Sequence, residues 1–379
     1  MSHALTNRAV RIPVLLFLHA LVFGGCITPS LSAADDLSIG ALVPLTGDFA
    51  AAGGQFQRGM QLAEDEINSA GGVAGDRLTI IYEDSKILPT TSVAAARKLV
   101  ELDRVSAVLA LTLVEAKAAG PLLEAAHVPT IFLWDSNPKI DDLGQYLFSI
   151  GLWTPNAGIR VAEYSFHTLG LRRAVIVKNF DEWAIDVTDT FSSRFKELGG
   201  EVVLNETLDP HENDFRSVLL KVKKLKPDLI YAPLGFNAPT FFKQLRNMYH
   251  IPGVIFSSDN IRDDIILASE GALEGAYVTH GADPKTLEAK ALLERFKARY
   301  KGESPTSLLF VSAGYDGVKL LAKAIAEGGR SGEAIKNSLY TVKGYHGASG
   351  RVEISPEGSS KLKATVFKVV NGKLEAQDK

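Results

Sequence analysis

The chain has 379 residues, 46% of them hydrophobic and 22% charged, with a formal net charge of -3. This composition excludes a disordered polar chain, and the lack of any long run of one sign excludes the basic footprint of a nucleic-acid binder. At roughly 150 residues per domain the length accommodates two cores, and the balance of charge points to a small-molecule partner.

Residues 1–34 read as an export leader. Arg8 and Arg11 in "MSHALTNRAVR" precede the apolar run "IPVLLFLHALVFGG", and Ser32 and Ala34 supply the small residues expected before cleavage at Asp35. A second reading of the same stretch takes "FGGC" as a lipoprotein signal, with Cys26 lipidated. Phe23 stands there in place of the usual Leu, which favours the first reading. Both lead to a periplasmic, exported protein, lipid-anchored only in the second case. Cys26 is the single cysteine, so no disulfide, thiolate nucleophile or cysteine metal site is expected in the folded body. No later apolar run approaches the ~20 residues that span a bilayer.

Beyond the leader, apolar β-rich runs alternate with helical patterns. "LSIGALVPL" is followed by a helix in which Phe56, Met60, Ala63 and Ile67 recur at helical spacing, stopped by Gly71 and Gly72. "RLTIIYED", "SAVLAL" and "VPTIFL" continue the strands, with helices "TSVAAARKLVELD" and "EAKAAGPLLEAAH" between them. From Leu152 a second series runs through "RRAVIVKN", "EVVLNETL", "PDLIYAPL", "GVIFSSD" and "EGAYVTHG". Near-continuous apolar strands of this kind belong to parallel sheets covered by helices on both faces. The predicted class is α/β, with two doubly wound parallel sheets. The helices "KALLERFKARY" and "SLLFVSAGYDGVKLLAKAIAEGG" and a two-stranded ending close the chain.

In open parallel sheets, ligands bind beyond the carboxyl ends of the strands. Six corners therefore become the candidates: "PLTGDFAAAGG", "LTLVEAK", "LWDSNPKI", "NFDEWAID", "PLGFNAPT" and "SSDNIRDD". The sequence carries no signature of catalysis. It has no G-x-x-x-x-G-K-[ST] loop, no G-x-S-x-G elbow and no H-E-x-x-H. The histidines outside the leader, at 127, 167, 211, 250, 280 and 346, lack ligand spacing, and "EDE" at 64–66 and "RDD" at 262–264 read as exposed charges. No cofactor, no metal and no enzymatic activity are expected.

The run "IGALVPLTGDFAAAGGQFQRGMQLAEDEINSAGGVAGDRLTIIYEDS" resembles the opening of type I periplasmic solute-binding proteins, in the branch of the leucine, isoleucine and valine binders. "AARKLV", "SNPKI", "DFRSVLLKVK", "PDLIY", "YDGVKLLAKAI" and a closing G-x-x-G-x-V-x-I follow in the family's order. The resemblance implies two lobes joined by a three-crossing hinge: 35–151 plus 281–344 as lobe one, and 152–280 plus 345–379 as lobe two. It also implies a monomer that captures an amino acid or similar solute and delivers it to the permease and ATPase subunits of an ABC importer. Two alternatives stay open, a ligand-binding sensor subunit and an importer component for aromatic acids or amides.

Carried over residue by residue, the resemblance places Ala52 where an aromatic is expected in the first corner. Val114 falls where a serine is expected in the second, with Thr112 and Glu115 as nearby polar groups. Ser136 keeps the hydroxyl of the third corner, while Trp134 replaces a small residue two positions earlier. In lobe two, Trp183 keeps an aromatic, "GFN" offers Phe236 or Asn237, and either Asp259 or Asn260 takes the acidic position. Trp134 is then expected to restore the wall lost at Ala52, or else to pack on the rim of lobe one. Asp135 either meets the ligand, is solvated, or caps the next turn.

Overall fold

The computed structural model describes Met1 and residues 37–377. The charged and apolar segments of the leader, its cleavage site and Cys26 lie outside the described residues.

The first half of the chain supplies strands β1 (Leu37–Val43), β2 (Leu78–Asp84), β3 (Val108–Ala110), β4 (Thr130–Phe132), β5 (Asp135–Ser136), β6 (Leu147–Ser149) and β7 (Leu152–Trp153). β1 to β4 and β6 form a parallel sheet in the order β2-β1-β3-β4-β6, and β5 pairs with β7 beside it. Alternation along these strands explains why both faces need cover. Ile39, Ala41 and Val43 of β1 join one hydrophobic core while Leu42 joins another. Leu109 and Ile131 side with the first, and Val108, Ala110 and Phe132 with the second.

The second half supplies β8 (Arg173–Asn179), β9 (Glu201–Leu208), β10 (Leu229–Tyr231), β11 (Val254–Ser257) and β12 (Tyr277–His280), followed by β13 (Tyr345–Gly347), β14 (Gly350–Val352), β15 (Thr365–Val370) and β16 (Lys373–Ala376). The second sheet runs β16-β15-β12-β11-β10-β8-β9. β8 to β12 are parallel, as expected, whereas β15 and β16 add to the edge in antiparallel pairing. The hairpin at the C-terminus therefore makes this sheet mixed. Its two faces are again separately covered: Val175, Val177 and Ile230 face one core, and Ala174, Ile176, Leu229 and Tyr231 the other.

The two late helices, Leu287–Arg299 and Leu308–Gly328, pack with the first sheet, on the helix Ala50–Ser69. Two glycines set how closely the helices Ala50–Ser69 and Leu308–Gly328 approach. A Cβ at Gly59 would lie 2.0 Å from the Val311 carbonyl oxygen, and one at Gly314 would lie 2.3 Å from that of Phe56. Gly53, six residues before Gly59, stands equally close to the Pro44 carbonyl. Gly53 and Gly59, spaced as G-x-x-x-x-x-G in the sequence, thus mark backbone contact on both sides of one helix.

The tail after residue 345 is divided rather than assigned to one lobe. Ala348, Val352 and Ile354 enter the core of the first sheet, and Val366, Phe367 and Val369 enter those of the second. The chain passes between the sheets three times, from β6 to β8, from β12 to the late helices, and from β14 to β15. Two of these passages run side by side, through the parallel bridges of Ser149 with Ser359 and Leu152 with Leu362.

Candidate functional site

In both sheets the parallel strands follow the order in which the second strand lies outside the first, so the chain reverses direction of travel between β1 and β3 and again between β8 and β10. Such switch points open a crevice at the carboxyl ends of the strands. Between the two sheets lies a cavity of about 150 Å³ to which all six candidate corners contribute.

On the first lobe, Phe49 precedes the helix Ala50–Ser69, Thr112 to Val114 begin the helix Leu113–Ala125, and Trp134 and Asp135 follow β4. Ile87 closes this side. On the second lobe, Asp181, Glu182 and Trp183 open the helix Glu182–Glu197, Pro233 to Gly235 follow β10, and Asp259 and Asn260 follow β11.

The start of the helix Leu113–Ala125 is built as a capping box, the arrangement in which side chains satisfy the first free amides of a helix. Thr112 Oγ1 accepts from the Glu115 amide at 3.5 Å. Oε2 of Glu115 accepts from the amides of Leu111 and Thr112 at 2.9 and 2.8 Å. Glu115 is fully buried, and burial raises its pKa against those hydrogen bonds. Asp135 completes the arrangement from the next corner, its Oδ2 accepting from the Leu113 amide at 2.8 Å. The Leu111 carbonyl in turn accepts from the amides of Trp134 and Asp135, which fixes the third corner against the second.

Trp134 combines the two roles considered for it. Its ring lies 4.5 Å from that of Phe310 and 5.8 Å from that of Phe56, both in the first lobe. It also lines the cavity, and its Nε1 donates to Asp259 Oδ2 of the second lobe at 3.2 Å. Asp259 is 2% exposed and Asp135 8% exposed. Burial pushes the Asp259 carboxyl up to about 7, against the Trp134 hydrogen bond, and the Asp135 carboxyl up to about 8, with the charge of Asp259 adding to it.

Polar contacts tie the lobes together beside the cavity. Lys139 Nζ reaches Glu182 at 2.6 Å and Asp186 at 2.9 Å, Lys117 Nζ reaches Glu182 at 2.6 Å, and Asn137 Nδ2 donates to Asp186 at 3.0 Å. At the rim, Phe49 of the first lobe meets Phe236 of the second edge to face, with ring centroids 4.6 Å apart. The lobes are closed on one another along this side.

Of the residues anticipated from the sequence, Thr112, Val114, Trp134, Asp135, Trp183, Asp259 and Asn260 line the cavity. Asp259 and Asn260 both do so. Asn260 also hydrogen-bonds the Leu234 carbonyl and the Arg262 guanidinium. Four anticipated residues do not line it. Ala52 is buried in the first core, because the helix starts at Ala50 and turns position 52 inward. Phe236 covers the rim, stacked on His211 as well as meeting Phe49. Asn237 is buried and donates to the Asp209 carbonyl, holding its own loop. Ser136 is buried at the passage between lobes, where its hydroxyl pairs with Ser149 Oγ at 2.8 Å and donates to the Ser360 carbonyl at 3.2 Å. The chain turns there into the β5–β7 ladder, so Ser136 faces the hinge and Trp134 the cleft.

Phe49 was missed. The aromatic of the first corner is present after all, one turn ahead of Ala52, and the end of "LTGDF" just before an Ala-Gly helix start was the signal for it. Ile87, Leu113, Asp181, Glu182 and Pro233 to Gly235 were also not singled out, although all but Ile87 lie in the six candidate corners and Leu113, Glu182 and Gly235 adjoin residues that were.

Two lobes, each a helix-covered parallel sheet, with a crevice between switch points and three passages at one side, define a two-lobed solute-binding protein. The comparisons with known proteins agree: the periplasmic binding protein family matches residues 36–373, and the chain belongs to that family. It is similar to an amino acid binding protein of Pseudomonas aeruginosa, 26% identical over 286 residues that cover 74% of this chain and 76% of the relative. It is likewise similar to the Leu/Ile/Val-binding protein BraC3 of Rhizobium johnstonii, 25% identical over 90% of this chain and 94% of that one. Among solved structures, the branched-chain amino acid transporter substrate-binding protein LivJ of Streptococcus pneumoniae, in complex with isoleucine, superposes with a TM-score of 0.84 at 27% identity, covering 90% of this chain and 98% of its own. The present chain is accordingly a solute-binding protein of the periplasmic binding protein family.

Proposed function

We propose that this protein captures a small organic solute, an amino acid or a related compound with an apolar body, in the cavity between its lobes. It then presents the closed complex to the permease and ATPase subunits of an ABC importer. The observation that carries this reading is the convergence of six strand-end corners, three from each lobe, on one cavity. Similarity to binders of leucine, isoleucine and valine supports the amino-acid class. The aromatic walls at Phe49, Trp134 and Trp183 support the second reading, a solute with a flat ring. A cavity of about 150 Å³ matches a benzene-sized body.

Capture without turnover is the expected activity: the lobes offer fixed donors and acceptors, and closure draws its free energy from contacts made on both sides of the solute at once. The test is a titration of ligand-free protein with neutral amino acids, aromatic acids, amides and amines, followed by tryptophan fluorescence. Trp134 and Trp183 line the cavity, so saturable quenching or enhancement is expected with a member of the panel, and its loss in Trp183→Ala. A flat response to every member would sink the reading.

A further inference from the structure

The proposed function leaves the head group of the solute open, and the charges around the cavity narrow it. We propose that the solute is a small apolar amine, whose cation meets Asp135 and Asp259, and that Asp135 fills the place where a ligand carboxylate would otherwise be anchored. This inference rests on the reading of the cavity as the solute site.

The first ground is the helix start at Leu113. Free amides at a helix N-terminus attract an anion, and a carboxylate bound there is the natural partner. Here the protein supplies its own carboxylates. Asp135 takes the amide of Leu113, and Glu115 takes those of Leu111 and Thr112. A ligand carboxylate at the Leu113 amide would have to displace Asp135, and one at the next amide, Val114, would lie beside the Asp135 charge.

The second ground is the balance of charge. Among the described residues four acids line the cavity, Asp135, Asp181, Glu182 and Asp259, and no lysine or arginine does. Glu182 is matched by Lys117 and Lys139, and Asp181 accepts the Ala184 amide as a helix cap. Arg262, the cation that acts on Asp259, is itself engaged by Asp264 and by Asn260 Oδ1, each at 2.9 Å. Among the described residues, Asp135 and Asp259 are left without an ion-pair partner of their own.

The third ground is an open acceptor. Asp135 is 8% exposed, and its Oδ1 accepts no hydrogen bond among the described residues. A buried carboxylate with a vacant acceptor is costly unless a donor meets it. Burial accordingly favours its protonated form in the ligand-free site, and an ammonium group would restore the ionised one. The aromatic faces of Phe49, Trp134 and Trp183 complete a site suited to a cation on an apolar body.

Matched ligands isolate the carboxylate. L-Leucine and 3-methylbutylamine share a side chain and an ammonium group, as do L-phenylalanine and 2-phenylethylamine, and each pair differs in the carboxylate alone. Calorimetric titration of ligand-free protein with both pairs and with benzoate is expected to show an amine binding at least ~10-fold tighter than its carboxylated partner and than benzoate. In Asp135→Asn, whose amide oxygen still accepts from Leu113, amine binding is expected to weaken at least ~10-fold while the thermal unfolding transition stays cooperative. Tighter binding of an amino acid or benzoate, or an amine affinity that Asp135→Asn leaves unchanged, would overturn the inference and leave the solute site standing. Silence from every compound would overturn both.

Discussion

Trp134 Nε1 donates to Asp259 Oδ2 at 3.2 Å, and this hydrogen bond joins the corner after β4 in one lobe to the corner after β11 in the other. One side chain thereby does two things. Its ring packs on Phe310 and Phe56 and belongs to its own lobe, while its one polar atom belongs to the closed interface. Trp134→Phe keeps the ring and removes the donor, leaving Asp259 buried without its partner across the cleft. The expected outcome is a loss of about 1–3 kcal/mol from the closed, ligand-free form. The change would be seen as a lower melting temperature and as a larger radius of gyration by small-angle scattering. An unchanged melt would show that the bond contributes nothing to closure.

Ser136 provides the contrast. Its hydroxyl is spent on Ser149 and Ser360 at the passage between lobes. Ser136→Ala leaves those two groups short of a partner in a buried place, at a cost of about 1–3 kcal/mol. Denaturant titration should register that loss, whereas the affinity of the best-binding solute, measured by fluorescence, should move less than about three-fold. A collapse of affinity with unchanged stability would return Ser136 to the binding site.

The buried acids fix the sign of a pH dependence. Asp135 and Asp259 bind protons more tightly in the folded chain, at about 8 and about 7, than their ordinary value of 3.8 allows in the unfolded one. Their contribution to stability is therefore complete below the ordinary value and is lost as pH rises through about 7 and then about 8. His280, which burial holds down at about 4, acts in the opposite sense only as pH falls below 6.5. Between about pH 6.5 and 9 the melting temperature of the ligand-free protein should fall, and the slope should flatten in Asp135→Asn. A melting temperature that rises across this range would contradict the assignment.

The lobe-to-lobe ion pairs are half exposed and carry less weight. Lys139 and Lys117 meet Glu182 and Asp186 in solvent, where such pairs are worth about 0.2–1 kcal/mol and are screened by salt. Lys139→Ala should weaken solute binding by less than about five-fold at low salt, and by less still at about 0.5 M salt. A ten-fold effect that survives high salt would mean that Lys139 touches the solute itself.

Much of this architecture was legible in the sequence because it follows from periodicity. Apolar strands alternating with amphipathic helices give two covered parallel sheets, and the rule that ligands sit at the strand ends selects six corners, all of which reach the cavity. What could not be read was the direction of single side chains within a corner. Ala52 and Phe49 lie three residues apart, and only the helix start at Ala50 decides which one faces the cleft. Trp134 and Ser136 point to opposite ends of the same corner because β5 pairs with β7, a ladder of two residues too short to leave a pattern. The tail is shared between lobes for a similar reason, since β13 and β14 pair with each other and pack on the first sheet before the chain crosses back to β15. The G-x-x-x-x-x-G spacing was visible, but its cause was not. Gly59→Ala should cost several kcal/mol, ~3 or more, because its methyl would meet the Val311 carbonyl in a close-packed helix pair. Thermal denaturation checks this directly.

Trp134 and Asp135 of the first lobe and Trp183 and Asp259 of the second line one cavity, placed to hold a single small solute between them. Isothermal titration calorimetry with the tightest-binding compound, on wild type and on Trp183→Ala, tests it most directly. One site per chain is expected in the wild type, with at least a ~10-fold weaker affinity in the variant at an undiminished melting temperature. Binding of equal strength to a correctly folded Trp183→Ala protein would contradict it.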